Sequence, residues 1–156
     1  MKRFSMLALV AGAVVATGMW GVALAQDDEA RGALESLGGR PCRVETLRGS
    51  YLFAASGFNI VGGVAQPKAL HEMIDFNGDG TLTVPGVTLS VNGTITRTHP
   101  AAGMGDYAVE PDCSGTLVFS SGPSFDIVVA SDGETVWMFQ TNPNTVFQGT
   151  ATRFDR

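Results

Sequence analysis

Histidine is nearly missing from this chain: His71 and His99 are the only two, and no H-x-H spacing exists. Zinc sites and histidine-based catalytic triads therefore lack their usual ligand or base. The chain has no G-x-S-x-G elbow and no glycine-rich loop opening onto a helix, so nucleophile-elbow hydrolysis and phosphate cradling are without their sequence marks. Basic residues are scarce as well, ten Lys and Arg against fifteen Asp and Glu. With no basic cluster, the composition argues against nucleic acid and anionic membrane surfaces as partners. No motif calls for a cofactor or a metal. Beyond residue 25 there is no long apolar run, and hence no further candidate membrane span.

The one long apolar run is at the N-terminus. Lys2 and Arg3 precede an uncharged stretch over 4–25, which ends in Ala23-Leu24-Ala25 and is followed by Gln26-Asp27-Asp28-Glu29. A basic start, an apolar middle and an A-x-A box describe a cleavable secretory signal peptide. An uncleaved anchor is the rival reading. No cysteine follows the cleavage point, which argues against a lipoprotein. Cleavage leaves 26–156 as one domain's worth of chain. It removes Lys2 and Arg3 from the ten basic residues, leaving eight against fifteen acidic, or a net charge of −7. The expected localisation is secreted or periplasmic, with no membrane association after cleavage. The oligomeric state is open.

Cys42 and Cys113 are the only cysteines. An even pair in an oxidising compartment predicts a disulfide; two separate buried thiols are the alternative.

The expected organisation is a signal peptide over 1–25, an N-terminal segment over 26–47 and a β-barrel domain over 48–156. Ala30, Leu34 and Leu37 recur at helical spacing ahead of Gly38-Gly39, which predicts a short helix within 27–39. From residue 48 onward, short β-branched and aromatic runs alternate with turn residues. They lie near 49–55, 69–76, 81–91, 94–98, 105–110, 116–120, 125–130, 134–141 and 145–154. Asn92-Gly93 is the strongest hairpin signal. Asp75-Phe76-Asn77-Gly78-Asp79-Gly80 matches half of an EF-hand loop. Its twelfth position is Gly86 rather than a bidentate Glu, so it reads as a hairpin turn. The apolar, glycine-rich stretch 57–67 reads as a connection that covers one end of the fold or gates it. Short connections favour an all-β, antiparallel up-and-down barrel of about eight strands over a sandwich.

Period-two alternation nominates the interior. Tyr51 with Phe53, Phe125 with Ile127, and Trp137 with Phe139 each share a face. Phe53, Phe125, Trp137 and Phe139 are the candidate ligand-lining residues. Glu72 shares parity with Leu70, Ile74 and Phe76. If that face points inward, a carboxylate enters the barrel and becomes a candidate acid or base, with Tyr51 and Tyr107 to orient a substrate. The opposite register puts Met73 inside and Glu72 in solvent. A lumen of roughly 300 Å³ or more keeps ligand binding open, whereas a filled one leaves a purely structural domain with only its surface.

Gly49-Ser50-Tyr51, the 75–80 turn, Gly105-Asp106-Tyr107 leading to Asp112-Cys113-Ser114-Gly115-Thr116, and Gly149-Thr150-Ala151-Thr152-Arg153 carry a resemblance. They look like a group of small secreted bacterial proteins of unknown function. More distantly, the chain resembles the allene oxide cyclase-like barrels, relatives of the calycins. The resemblance implies a calycin-type barrel, and its motifs speak for fold rather than activity. Some members of the wider group are cyclases acting on apolar substrates inside the barrel. Two functions follow as expectations: a barrel binding a small apolar ligand, or a cyclase or isomerase acting in the lumen.

Overall fold

The structure is a computed structural model that describes residues 40–100, 103–120 and 122–154. The signal sequence and the helix expected within 27–39 lie outside the described residues. Nine strands follow a 3₁₀ turn at Val44–Thr46. They are β1 (Gly49–Val61), β2 (Val64–Phe76), β3 (Thr81–Val91), β4 (Thr94–Thr98), β5 (Gly103–Val109), β6 (Ser114–Phe119), β7 (Ser124–Val129), β8 (Thr135–Gln140) and β9 (Thr145–Arg153).

Eight of these strands close into an antiparallel ring. The sheet runs β2-β1-β9-β8-β7-β6-β5-β3, and β2 pairs with β3 to complete the circle. β4 stands outside the ring. β3 gives its first half, Thr81 to Val84, to β5, and its second half, Val87 to Val91, to β4. The switch falls just past a register shift opposite Met73 and Asp75 on β2. Pro85 sits in that irregularity, where a missing N–H is tolerated.

Alternation makes these segments strands. Tyr51, Phe53 and Ala55 are buried on β1 while Leu52, Ala54 and Ser56 are exposed. Phe125, Ile127 and Val129 do the same on β7. Each strand of the ring thus buries one apolar row, and closing the ring leaves its eight strands without a free edge.

The stretch 57–67 departs from expectation: it is strand, not a loop. β1 and β2 form a hairpin of thirteen residues a side. Gly62 and Gly63, at φ 58° and 81°, make its two-residue turn. Asn92 and Gly93, at φ 49° and 84°, turn β3 into β4 as predicted. Both hairpin tips lie at the same end of the barrel, called the mouth below. Strand coiling there needs glycine. A Cβ on Gly57 would lie 1.9 Å from the Val146 carbonyl oxygen, and one on Gly105 would lie 2.4 Å from that of Val118. Their inward-facing neighbours across the ladder are Phe147 and Phe119, and the backbone of those strands fills the room a Cβ would need.

The opposite end, the base, is plugged. Phe76 stands between Tyr51 and Tyr107, with ring centroids 5.0 and 4.9 Å away and both contacts edge-on. Such pairs add about 0.5–1.5 kcal/mol each beyond area burial. Leu47, fully buried, follows the 3₁₀ turn into this layer. The strap carrying it is tied down by a disulfide between Cys42 and Cys113, with Cα atoms 4.9 Å apart. The Cys42 N–H also donates to the Pro111 carbonyl at 3.2 Å.

Candidate functional site

A cavity of ≈ 180 Å³ lies inside the barrel toward the mouth. Its walls are Leu70, Val84, Val87, Leu89, Phe119, Phe125 and Phe147, with Gly103 and Pro123, and its polar side chains are Glu72 and Lys68. The volume falls below the 300 Å³ expected of an ordinary ligand site. It is comparable with an engineered cavity of about 150 Å³ that takes benzene.

Glu72 is the chemically informative residue. Its register, opposite Phe53 on β1 and Val87 on β3, turns it inward. It is 8 % exposed. Of the two registers the sequence allowed, the one that buries Glu72 and Ile74 holds, and Met73 is on the other face. Burial pushes the Glu72 carboxyl up to about 7 from its ordinary 4.5, only partly offset by the charge of Lys68. Desolvation dominates because the walls are hydrocarbon. Apart from that charge, no described residue offers the carboxyl a hydrogen bond or an ion pair.

Lys68 shares the inward face of β2, four residues back. Its Nζ donates to Gln140 Oε1 at 3.1 Å and lies 4.1 Å from the Phe147 ring centroid. Burial lowers its pKa, and Glu72 acts in the opposite direction. Gln140 Nε2 donates to Asn142 Oδ1 at 3.0 Å, which also accepts from the Ser124 N–H at 2.7 Å. Asn142 Nδ2 reaches the Gly122 carbonyl at 3.1 Å. Lys68 and its amide partners thus form a chain fixed to the β6–β7 turn and the β8–β9 turn.

The two tyrosines do not join Glu72. The Tyr51 hydroxyl donates to the Gly133 carbonyl and accepts from Arg153, at 2.9 Å from Nη2 and 3.2 Å from Nε. Burial raises its pKa, and the Arg153 contact opposes that. Arg153 also bridges to Glu134 at 3.3 Å and to the Thr46 carbonyl at 3.4 Å. The Tyr107 hydroxyl donates to the Leu47 carbonyl at 2.8 Å, with the Val44 carbonyl at 3.2 Å, and accepts from the Gly78 N–H at 3.1 Å. Neither ring lines the cavity. Both hydroxyls fasten the strap and turns across the base, so the expected substrate-orienting role loses its geometry.

Among the expected ligand-lining residues, Phe125 lines the cavity. Phe53 packs edge-on behind it at 5.8 Å. Trp137 and Phe139 are a correction: they stand on the outer wall, 52 % and 50 % exposed, while Val136, Met138 and Gln140 point inward. Together with Val128, Asp126, Gln148 and Thr150 they border an open outer groove of ≈ 690 Å³. That groove is larger than the lumen cavity, but no buried polar group faces it.

Lys68, Gln140, Phe119 and Phe147 complete the site. Phe119 and Phe147 fall in the runs expected near 116–120 and 145–154 but are not among the candidate ligand-lining residues. Lys68 shares parity with Glu72, a signal concealed when 57–67 is read as a loop. The half-EF-hand is a turn: Asp79 Oδ1 accepts from the Thr81 N–H at 3.0 Å and its hydroxyl at 2.7 Å, with Gly78 and Gly80 at φ 82° and 94°. No protein-family model and no curated protein matches the chain, so what the structure supports of the resemblance is the eight-stranded antiparallel barrel.

Proposed function

We propose that this protein is an extracytoplasmic β-barrel that binds a small, mostly apolar ligand in the mouth half of its lumen. The observation that carries the reading is Glu72: a buried carboxyl without a protein hydrogen bond, facing a phenylalanine-walled cavity. A barrel built only to be stable has no use for that group, because an apolar side chain there would cost less to bury. The signal-type N-terminus and the disulfide support the compartment. Among the described residues, no helix is long and apolar enough to cross a membrane.

The test is a methyl-resolved NMR titration with toluene. Saturable shifts centred on Val84, Val87 and Leu89 are expected. Shifts confined to the outer-wall methyls of Val128 and Val146, or none, would overturn lumen binding.

A cyclase or isomerase is the second reading, in line with the allene oxide cyclase-like resemblance. One observation favours it: a carboxyl held near 7 both gives and takes protons at neutral pH. Turnover of an apolar epoxide that is lost in Glu72→Gln would support it. Equal turnover in the variant would remove Glu72 from any such role.

A further inference from the structure

We propose that the lumen selects small uncharged molecules carrying a hydroxyl donor on an apolar ring, such as phenols and short cyclic alcohols, with Glu72 accepting the hydroxyl hydrogen bond. The proposal rests on the lumen-binding reading and adds the chemical class. Three features of the cavity lead to it.

Glu72 is the lumen polar group without a protein partner, its oxygens open to the cavity rather than sealed. The Lys68 ammonium already has the Gln140 carbonyl oxygen and the face of Phe147. Gln140 has Asn142. The Glu72 carboxylate has no donor among the described residues. A ligand that supplies one completes the network, and a charge-assisted bond in an apolar setting is among the stronger kinds.

Charge balance selects the form of that donor. Above the Glu72 midpoint one carboxylate and one ammonium line the cavity, and together they are neutral. A ligand ammonium would leave a net positive charge beside Lys68 in a hydrocarbon-walled space. A ligand carboxylate would leave a net negative one beside Glu72. Either ion also gives up its hydration on entry. A neutral hydroxyl avoids both costs.

Size and walls set the body. The cavity's ≈ 180 Å³ suits one six-membered ring with a small substituent. Phe119 and Phe125 meet edge-on at 5.9 Å, and with Phe147 they present ring faces and edges to a flat guest.

The experiment compares four probes of one shape: p-cresol, toluene, benzylamine and benzoate. Each is titrated into the purified protein at about pH 8, above the midpoint of the Glu72 carboxyl, and followed at the lumen methyls. We expect p-cresol to bind about tenfold more tightly than toluene, with benzylamine and benzoate weaker than either. In Glu72→Leu the advantage of p-cresol disappears and toluene binding remains. Should that variant fold poorly, Glu72→Gln keeps the shape with a weaker acceptor and reduces the advantage several-fold. Toluene matching p-cresol, an ion leading the series, or an advantage that survives at Glu72→Leu or stays undiminished at Glu72→Gln would each overturn the hydroxyl proposal while lumen binding stands. Silence of all four probes at the lumen methyls would overturn lumen binding itself.

Discussion

At the base of the barrel two tyrosine hydroxyls and a guanidinium are bonded to protein groups; at the mouth the Glu72 carboxyl meets the cavity instead. Tyr51, Tyr107 and Arg153 place their hydroxyls and guanidinium on the carbonyls of Thr46, Leu47 and Gly133, and a disulfide holds the strap they grip. Glu72 shares the same continuous apolar interior and is left facing open space. Stability is concentrated at one end and chemistry at the other. Satisfied hydrogen bonds and a cross-link close one end, while at the other the desolvation of a carboxyl with no protein partner costs stability. Residues that give up stability in this way mark function more reliably than residues that merely line a core.

Separating the two ends experimentally gives four outcomes. The largest belongs to the base. The disulfide spans 71 residues of sequence, so Cys42→Ser with Cys113→Ser should lower unfolding stability by about 4 kcal/mol, read by urea denaturation. Toluene should still bind in the lumen of the molecules that remain folded. Loss of binding at unchanged stability would break the division between the ends.

The second outcome belongs to the mouth and has the opposite sign. Folded Glu72 keeps its proton to about 7 rather than 4.5. Between those values the folded state binds more protons than the unfolded one. Its contribution to stability therefore falls as pH rises through that window, by about 3 kcal/mol in all, and levels off above it. Glu72→Gln should flatten that part of the pH–stability curve and be more stable than the parent above pH 7. Two curves of equal slope would contradict the burial of Glu72.

Third, Tyr107→Phe leaves the Leu47 carbonyl and the Gly78 N–H without their partner and should cost about 2 kcal/mol in the same urea assay. Probe binding should not change, since Tyr107 does not touch the cavity. The smallest effect is expected on the outer wall. Trp137→Ala should cost less than about 1 kcal/mol and leave lumen affinity intact, because half of its surface already meets water.

Much of this architecture was legible in the residues. Alternation and turn chemistry placed most strands, and closure followed from strand number and short connections. Two features misled for physical reasons. Gly62-Gly63 sits among apolar residues and mimics a flexible loop, yet a glycine pair is also what a two-residue hairpin turn needs. On β8 both parities are apolar, Val136 with Met138 and Trp137 with Phe139, so alternation alone cannot choose a face. The ring's volume chose. With Tyr51, Phe53, Phe76, Tyr107, Phe119, Phe125 and Phe147 already inside, the smaller pair fits and the larger pair is turned out. Glu72 was legible only as one of two registers, because parity says which residues share a face and not which face is inside. The Cys42–Cys113 pairing needed no geometry, being the only pair the chain can form.

The most direct measurement is the titration of the Glu72 side-chain carboxyl by carbon-13 NMR, assigned by its absence in Glu72→Gln. A carboxyl buried in the lumen titrates near 7. A midpoint near the ordinary 4.5 would put Glu72 in solvent, and the polar end of the site would go with it.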